Sequence, residues 1–134
     1  MSILREFDAF RKRLGEAIES SLQVDVLDAA KSELSASLGA FDFPYSRGPG
    51  GLSDMANVHG TIESFGNVNT LMVTDDAPFQ RAASSTITLA EAVETGDPAY
   101  HMPEPRRFMS NAEEALDSGI AERAFAVGLH KRGF

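Results

Sequence analysis

The sequence predicts an α+β fold: a long N-terminal helix, a small antiparallel sheet including a hairpin, and short C-terminal helices packed on the sheet. Three observations carry this. Apolar residues recur every three or four positions from Ile3 to Leu38; the runs Val58 to Phe65 and Val68 to Thr74 are separated by two turn-forming residues; and an apolar stripe at helical spacing occupies the C-terminal part. A chain of 134 residues, 43% hydrophobic, is long enough to bury one core but too short for two. Residues 1–134 are therefore expected to form a single domain, with the helix over 3–38, sheet and loops over 40–86, and a helical part over 88–132.

In the first element Ile3, Phe7, Phe10, Leu14, Ile18 and Leu22 lie on one face of an amphipathic helix. Val24, Leu27, Ala30, Leu34 and Leu38 continue the spacing with a small offset, so residues 3–38 are one kinked helix or two joined near Gln23. We read them as one bent element ending near Gly39. Its stripe is longer than one small sheet can cover, which leaves part of it for another subunit.

Phe41, Phe43 and Tyr45 alternate in strand fashion, with Pro44 confining the segment to a sheet edge, and "RGPGGLSD" follows as a loop. Gly66 and Asn67 make a tight turn between two antiparallel strands. Residues 77–86 look irregular. Thr88 and Glu91 have the spacing of a capping box for a short helix that stops at Gly96. Pro98, Pro103 and Pro105 keep residues 97–107 largely extended, because each fixes its own φ and disfavours helix in the residue before it. Ser110 and Glu113 repeat the capping-box pattern, and Ala112, Ala115, Leu116, Ile120, Ala124 and Val127 form a stripe that Gly119 interrupts. Lys131 and Arg132 suit the negative end of a helix, and Gly133 suits its stop.

Composition narrows the function. Twenty acidic residues against 12 basic ones give a net charge of −8, which opposes a broad grip on a polyanion or an anionic membrane. The chain has no cysteine, so it has neither disulfides nor thiolate chemistry. No apolar run has the length of a signal peptide or a membrane span, and a soluble protein that is not exported by that route is expected.

Motifs for catalysis are weak. A metal site would require His59 and His101 to meet Asp75 and Asp76; isolated histidines beside a solvated acidic turn account for the same residues. "RGPGG" lacks the lysine and hydroxyl residue of a phosphate loop, since Leu52 follows Gly51. Ser84 and Ser85 sit in no nucleophile elbow. Glu113 and Glu114 stand in the first turn of a helix, where negative charge is favourable. Arg11, Lys12 and Arg13 are expected to form a solvated face compensated by Glu6, Asp8, Glu16 and Glu19. Arg106 and Arg107 follow a stiff proline segment, which lowers the entropy lost on pairing with a carboxylate of the same or a neighbouring subunit.

The order of these features resembles the small neck and tail-completion proteins of tailed bacteriophages. The likeness rests on the long helix, "FDFPYSRGPGGLSD", the hairpin ending "GNVNTLMVTDDAPFQ", a short helix ending "ETGD", and "PEPRRFMSNAEEALDSG". That family has a Pro-Arg-Pro-Phe-Met type segment before the last helix; here Arg107 replaces the middle proline. The resemblance implies a non-enzymatic virion protein, made in the host cytoplasm, that forms a homo-oligomeric ring at the head–tail junction or the head-proximal end of the tail. It implies no cofactor and no catalytic or metal site. Its partners would be other copies of itself and neighbouring connector and tail proteins, with DNA passing through without specific binding. Pro105, Arg106, Phe108 and Met109 would be the loop anchoring the last helix, and Gly48 to Asp54 an extended loop. Candidate interaction residues are accordingly Phe7, Phe10, Leu14, Gly48, Gly50, Gly51, Arg106, Arg107, Phe108 and Met109. Two other classes stay open: a monomeric adaptor or inhibitor using the Gly-rich loop, and a metal-dependent hydrolase.

Overall fold

The structure, a computed structural model, describes residues 3–40, 51–66, 68–77, 89–95 and 107–134. The expected aromatic edge strand, Gly48, Gly50, Ser84, Ser85, the Thr88 cap, His101, Arg106 and the three prolines of residues 97–105 lie outside them.

The N-terminal element is one continuous helical rod: α1 (Ile3–Ser20), a π-helical turn (Ser21–Val26) and α2 (Leu27–Gly39). The offset near Gln23 is this π turn. There the Leu27 N–H reaches the Leu22 carbonyl five residues back, which takes up an extra residue without breaking the helix. The two apolar stripes consequently face different neighbours. Downstream, Leu34 and Leu38 enter a core with Leu52, Val58, Ala77, Leu89, Val93, Phe108 and Ala112. Upstream, the stripe meets the C-terminal helix at Ala17 and runs out into solvent beyond it.

After a 3-10 turn (Met55–Asn57), whose first amide (Ala56) is accepted by the Asp54 carboxylate at 3.1 Å, β1 (Val58–Phe65) pairs antiparallel with β2 (Val68–Asp75). The register runs from Val58 opposite Asp75 to Phe65 opposite Val68, as the Gly66 turn requires. Gly60 lets the hairpin close on the rod: a Cβ there would stand 3.0 Å from Leu71 Cδ1 and 3.1 Å from Leu27 Cδ1. The Gln23 amide donates to the Gly60 carbonyl at 2.7 Å and fixes the same approach.

The C-terminal part comprises α3 (Leu89–Thr95), α4 (Phe108–Ala115), a π turn (Leu116–Ile120) and α5 (Ala121–Lys131). Two of these helices make their main contacts with the long rod, α4 against α2 and α5 against the first π turn, while α3 packs on α4. A two-stranded sheet offers only one small face, and Leu27 already occupies the part of it around Gly60.

Two expectations for this region are corrected. Ser110 is not the cap of the last helical segment, because α4 already begins at Phe108. The cap comes instead from α3: Glu94 accepts the Met109 N–H at 2.9 Å, the Ser110 N–H at 3.2 Å and the Ser110 hydroxyl. Glu113 and Glu114 accordingly sit beyond the first turn. The stripe is interrupted at Gly119 as expected, but Val127 does not belong to it. Gly119, at φ +121°, rotates α5 relative to α4, so Val127 is 55% exposed and Gly128 is the buried position.

Gly128 marks the closest helix approach. A Cβ on it would collide with Ser21 Oγ and lie 2.5 Å from Asp25 Oδ2. The Ser21 hydroxyl donates to the Phe125 carbonyl at 2.9 Å, and Asp25 accepts from Lys131 at 2.9 Å and Arg132 at 2.7 Å. Lys131 hydrogen bonding, then that of Arg132, holds the Asp25 carboxyl below its ordinary range. The chain then stops as expected: Gly133, at φ +90°, donates to the His130 carbonyl at 3.1 Å, and Phe134 donates to the Leu129 carbonyl at 2.9 Å, the Schellman pattern. Gly128→Ala should destabilise the protein by about 1–3 kcal/mol through overpacking. Adding Ser21→Ala should recover part of that loss, as read by urea denaturation.

Candidate assembly surfaces

Several large apolar side chains are exposed along α1. Residues 3–13 are all exposed, including Ile3 at 82%, Phe7 at 57% and Phe10 at 43%. Eleven residues rise roughly 16 Å, so about three turns of amphipathic helix project beyond the body. The base of this projection is pinned. Phe10 meets Phe134 with ring centroids 5.7 Å apart, and the Arg13 guanidinium lies 6.0 Å from the Phe10 centroid. Leu14 is half-buried at the same junction. The compensating pairs expected for Arg11, Lys12 and Arg13 are not formed. Ion pairs are formed instead by Asp25 with Lys131 and Arg132, and by His59 with Asp76. Holding two long exposed side chains in one geometry costs entropy that a screened surface attraction barely offsets.

A second apolar surface is the hairpin tip, where Phe65 and Val68 face each other across the last pair of the ladder and are 90% and 63% exposed. A third is a groove of about 380 Å³ between the rod, the hairpin and the C-terminal helices. Ala30 and Leu34 from α2, Leu71 and Val73 from β2, and Met109 and Leu116 form its apolar walls. Met72, Glu113 and Asp117, all exposed, also line it, and among the described residues no basic one does.

The remaining predicted interaction residues divide. Gly51 has a structural duty: its carbonyl accepts the Asp54 N–H and the Asn57 side-chain amide, each at 3.1 Å. Arg107 is exposed at the start of α4 and its carbonyl accepts the Asn111 N–H at 2.9 Å. Phe108 is fully buried in the core, and its carbonyl accepts the Ser37 hydroxyl at 2.7 Å. It anchors the last helix inside its own chain and presents no surface to a partner. Met109, half-buried, belongs to the groove.

The histidine–aspartate constellation takes a different form from the one the metal reading requires. His59 Nε2 stands 3.8 Å from Asp76 Oδ2, both exposed, whereas Asp75 points to the opposite face and is buried. Among the described residues, no three His, Asp or Glu side chains are grouped to hold a metal ion. No described helix is long and apolar enough to cross a membrane.

Asp75 is nonetheless unusual. Its Oδ1 accepts the Ala77 N–H at 3.1 Å, while its buried Oδ2 has no hydrogen-bond partner. Burial pushes its pKa up to about 6; the Ala77 hydrogen bond opposes this and the Asp76 and Asp54 charges add to it. Because the folded value lies above the unfolded one, the folded state holds the extra proton between roughly pH 4 and 6 and loses stability as pH rises through that window.

Compared with protein-family models, with curated proteins and with solved structures, the chain matches none significantly.

Three features of these surfaces had no local signal in the sequence. The groove joins residues from three separate segments, the Glu94 cap crosses from one helix to another, and the orphan oxygen of Asp75 depends on how the hairpin's base is covered. The exposed Phe65 and Val68 were legible as the ends of a tight hairpin. Asp75→Asn should stabilise the protein by up to about 3 kcal/mol at pH 8, and the difference should close as pH falls toward 4. Urea denaturation of both proteins at pH 4, 6 and 8 checks this.

Proposed function

We propose that the protein is a non-catalytic structural subunit of a tailed-phage particle. It forms a homo-oligomeric ring at the head–tail junction or at the head-proximal end of the tail. The observation that carries the assembly part is the projecting end of α1. A free helix of about 11 residues is marginal in water, and its stability in proteins comes from packing its apolar face. Here Ile3, Leu4 and Phe7 are turned to solvent beyond the Phe10–Phe134 contact, on a rod that is clamped further down. A surface of this kind is completed by association.

The particle itself is suggested by the ordered resemblance to neck and tail-completion proteins. The net charge of −8 suits a ring through which DNA passes without adhering. Neighbouring connector and tail proteins would meet the faces of the ring, and the hairpin tip with Phe65 and Val68 is available for such a contact.

The deciding experiment is mass spectrometry of purified particles followed by imaging of the protein's density. Several copies in a ring between head and tail are expected. Absence from finished particles, with a monomer at every concentration, would replace this reading by a monomeric adaptor. Phe7→Asp should leave the unfolding free energy within about 0.5 kcal/mol of the parent, as expected for an exposed site. The same change should abolish incorporation into particles, and normal incorporation would count against the role of α1.

A further inference from the structure

We propose that the groove between α2, β2 and α4 is the receptor for the projecting α1 end of a second copy of the chain, so that subunits join head to tail. The inference rests on the assembly reading above and specifies its contact.

The donor and the receptor are complementary in shape and character. The donor is an amphipathic helix end with a row of large apolar side chains. The receptor is a trough with buried Ala30 and Leu34 among its lining and Leu71, Met72, Met109 and Leu116 accessible along it, bounded by helices and a strand, the form in which proteins receive such a helix face. Charge agrees as well. Residues 3–13 contain four of the chain's 12 basic residues and only two of its 20 acidic ones. Arg11 and Arg13 flank the apolar face, about 70° and 90° from its centre at 100° per residue, with Glu6 the one acid beside it. The groove is lined by the exposed Glu113 and Asp117 and, among the described residues, by no base. A basic helix end thus meets an acidic lining on a chain that is otherwise strongly acidic, where most random juxtapositions repel.

The same molecule cannot fill its own groove. Phe7 and Ala30 lie on one unbroken rod, 23 residues apart in sequence, which is roughly 35 Å at 1.5 Å per residue. Bending α1 back would require breaking the rod at or above the π turn, which Ser21, Gln23 and Asp25 tie to α5 and β1. An α1 end in this groove therefore comes from another copy. Because donor and receptor are different surfaces, the contact is heterologous and repeats from subunit to subunit, giving a ring where the rotation closes.

The cysteine-free chain gives a clean test by disulfide trapping, since two introduced thiols link only when their backbones come within about 7 Å. Full-length Phe7→Cys and Met72→Cys variants, mixed and treated with a mild oxidant, should form at least tenfold more covalent dimer than Phe7→Cys mixed with Ser35→Cys, an exposed site on the other side of α2. Adding Asp117→Lys to the Met72→Cys partner should reduce the yield severalfold, and adding Arg11→Glu and Arg13→Glu to the Phe7→Cys partner of that pair should restore part of it. Dimer no more abundant than in the Ser35 control would overturn the groove assignment. So would preferential linking of Phe7→Cys to itself, which would mean that helix ends pair symmetrically. In both cases sedimentation of the unmodified protein separates the two readings: oligomers would leave the assembly function standing and remove only this contact, whereas a monomer at all concentrations, absent from particles, would remove both.

Discussion

The π turn at Ser21–Val26 is the constraint on which the rest of the structure depends. A regular helix would carry the apolar rows of α1 and α2 in one continuous phase. The extra residue changes that phase, so α2 gives Leu34 and Leu38 to the core while α1 runs past it. The turn is also where the chain is tied together. Ser21 and Asp25 reach α5, and Gln23 reaches β1, from alternate positions of one short segment. Gly128 is the matching feature on α5: any side chain there would displace the Ser21 and Asp25 contacts. A π turn thus serves both to redirect an apolar face and to present three polar side chains to two neighbours.

Polar groups settle the helix ends that packing alone leaves open. The start of α4 has no side-chain cap of its own, and Glu94 supplies one from α3, coupling two short helices that would each be marginal in isolation. The end of α5 closes through Gly133 and Phe134, and that closure places the Phe134 ring against Phe10. The C-terminus is therefore the footing of the projecting N-terminal helix. Asp75 runs the other way: its buried, half-satisfied carboxyl is a cost to the fold that grows with pH, carried at the base of the hairpin next to the core residue Ala77.

Much of this architecture was legible in the sequence because it is periodic. The apolar spacing of Ile3 to Leu38 specifies the rod and even locates its offset, and Gly66 with Asn67 specifies the hairpin. Periodicity fails where a single backbone angle resets the phase, as at Gly119, so Val127 was assigned to a stripe it does not join. Local motif spacing fails where a partner is distant: Ser110 and Glu113 have the spacing of a capping box, yet Glu94 occupies the position that the box would fill. Exposure of Phe7 and Phe10 was readable only as an excess of apolar face over available sheet, and burial of Phe108 followed from no local pattern at all. The groove was invisible for the same reason, since Leu34, Leu71 and Leu116 meet only in three dimensions.

Rigidity of the rod has a consequence for assembly through these surfaces. In a head-to-tail contact the angle between successive subunits is the angle between the donor surface and the receptor surface within one subunit. Here α2 forms one wall of the groove and α1 is its unbroken continuation, so that internal angle is set by the rod and by the clamps at Ser21, Gln23 and Asp25. A flexible arm would allow many angles and hence a mixture of open chains and rings of several sizes. A clamped rod repeats one rotation at every joint, and a repeated rotation closes at one subunit number or continues as a helix. If subunits join by the proposed contact, the same tertiary contacts that stabilise the monomer would thereby select the size of a closed ring, without requiring any further contact dedicated to counting subunits.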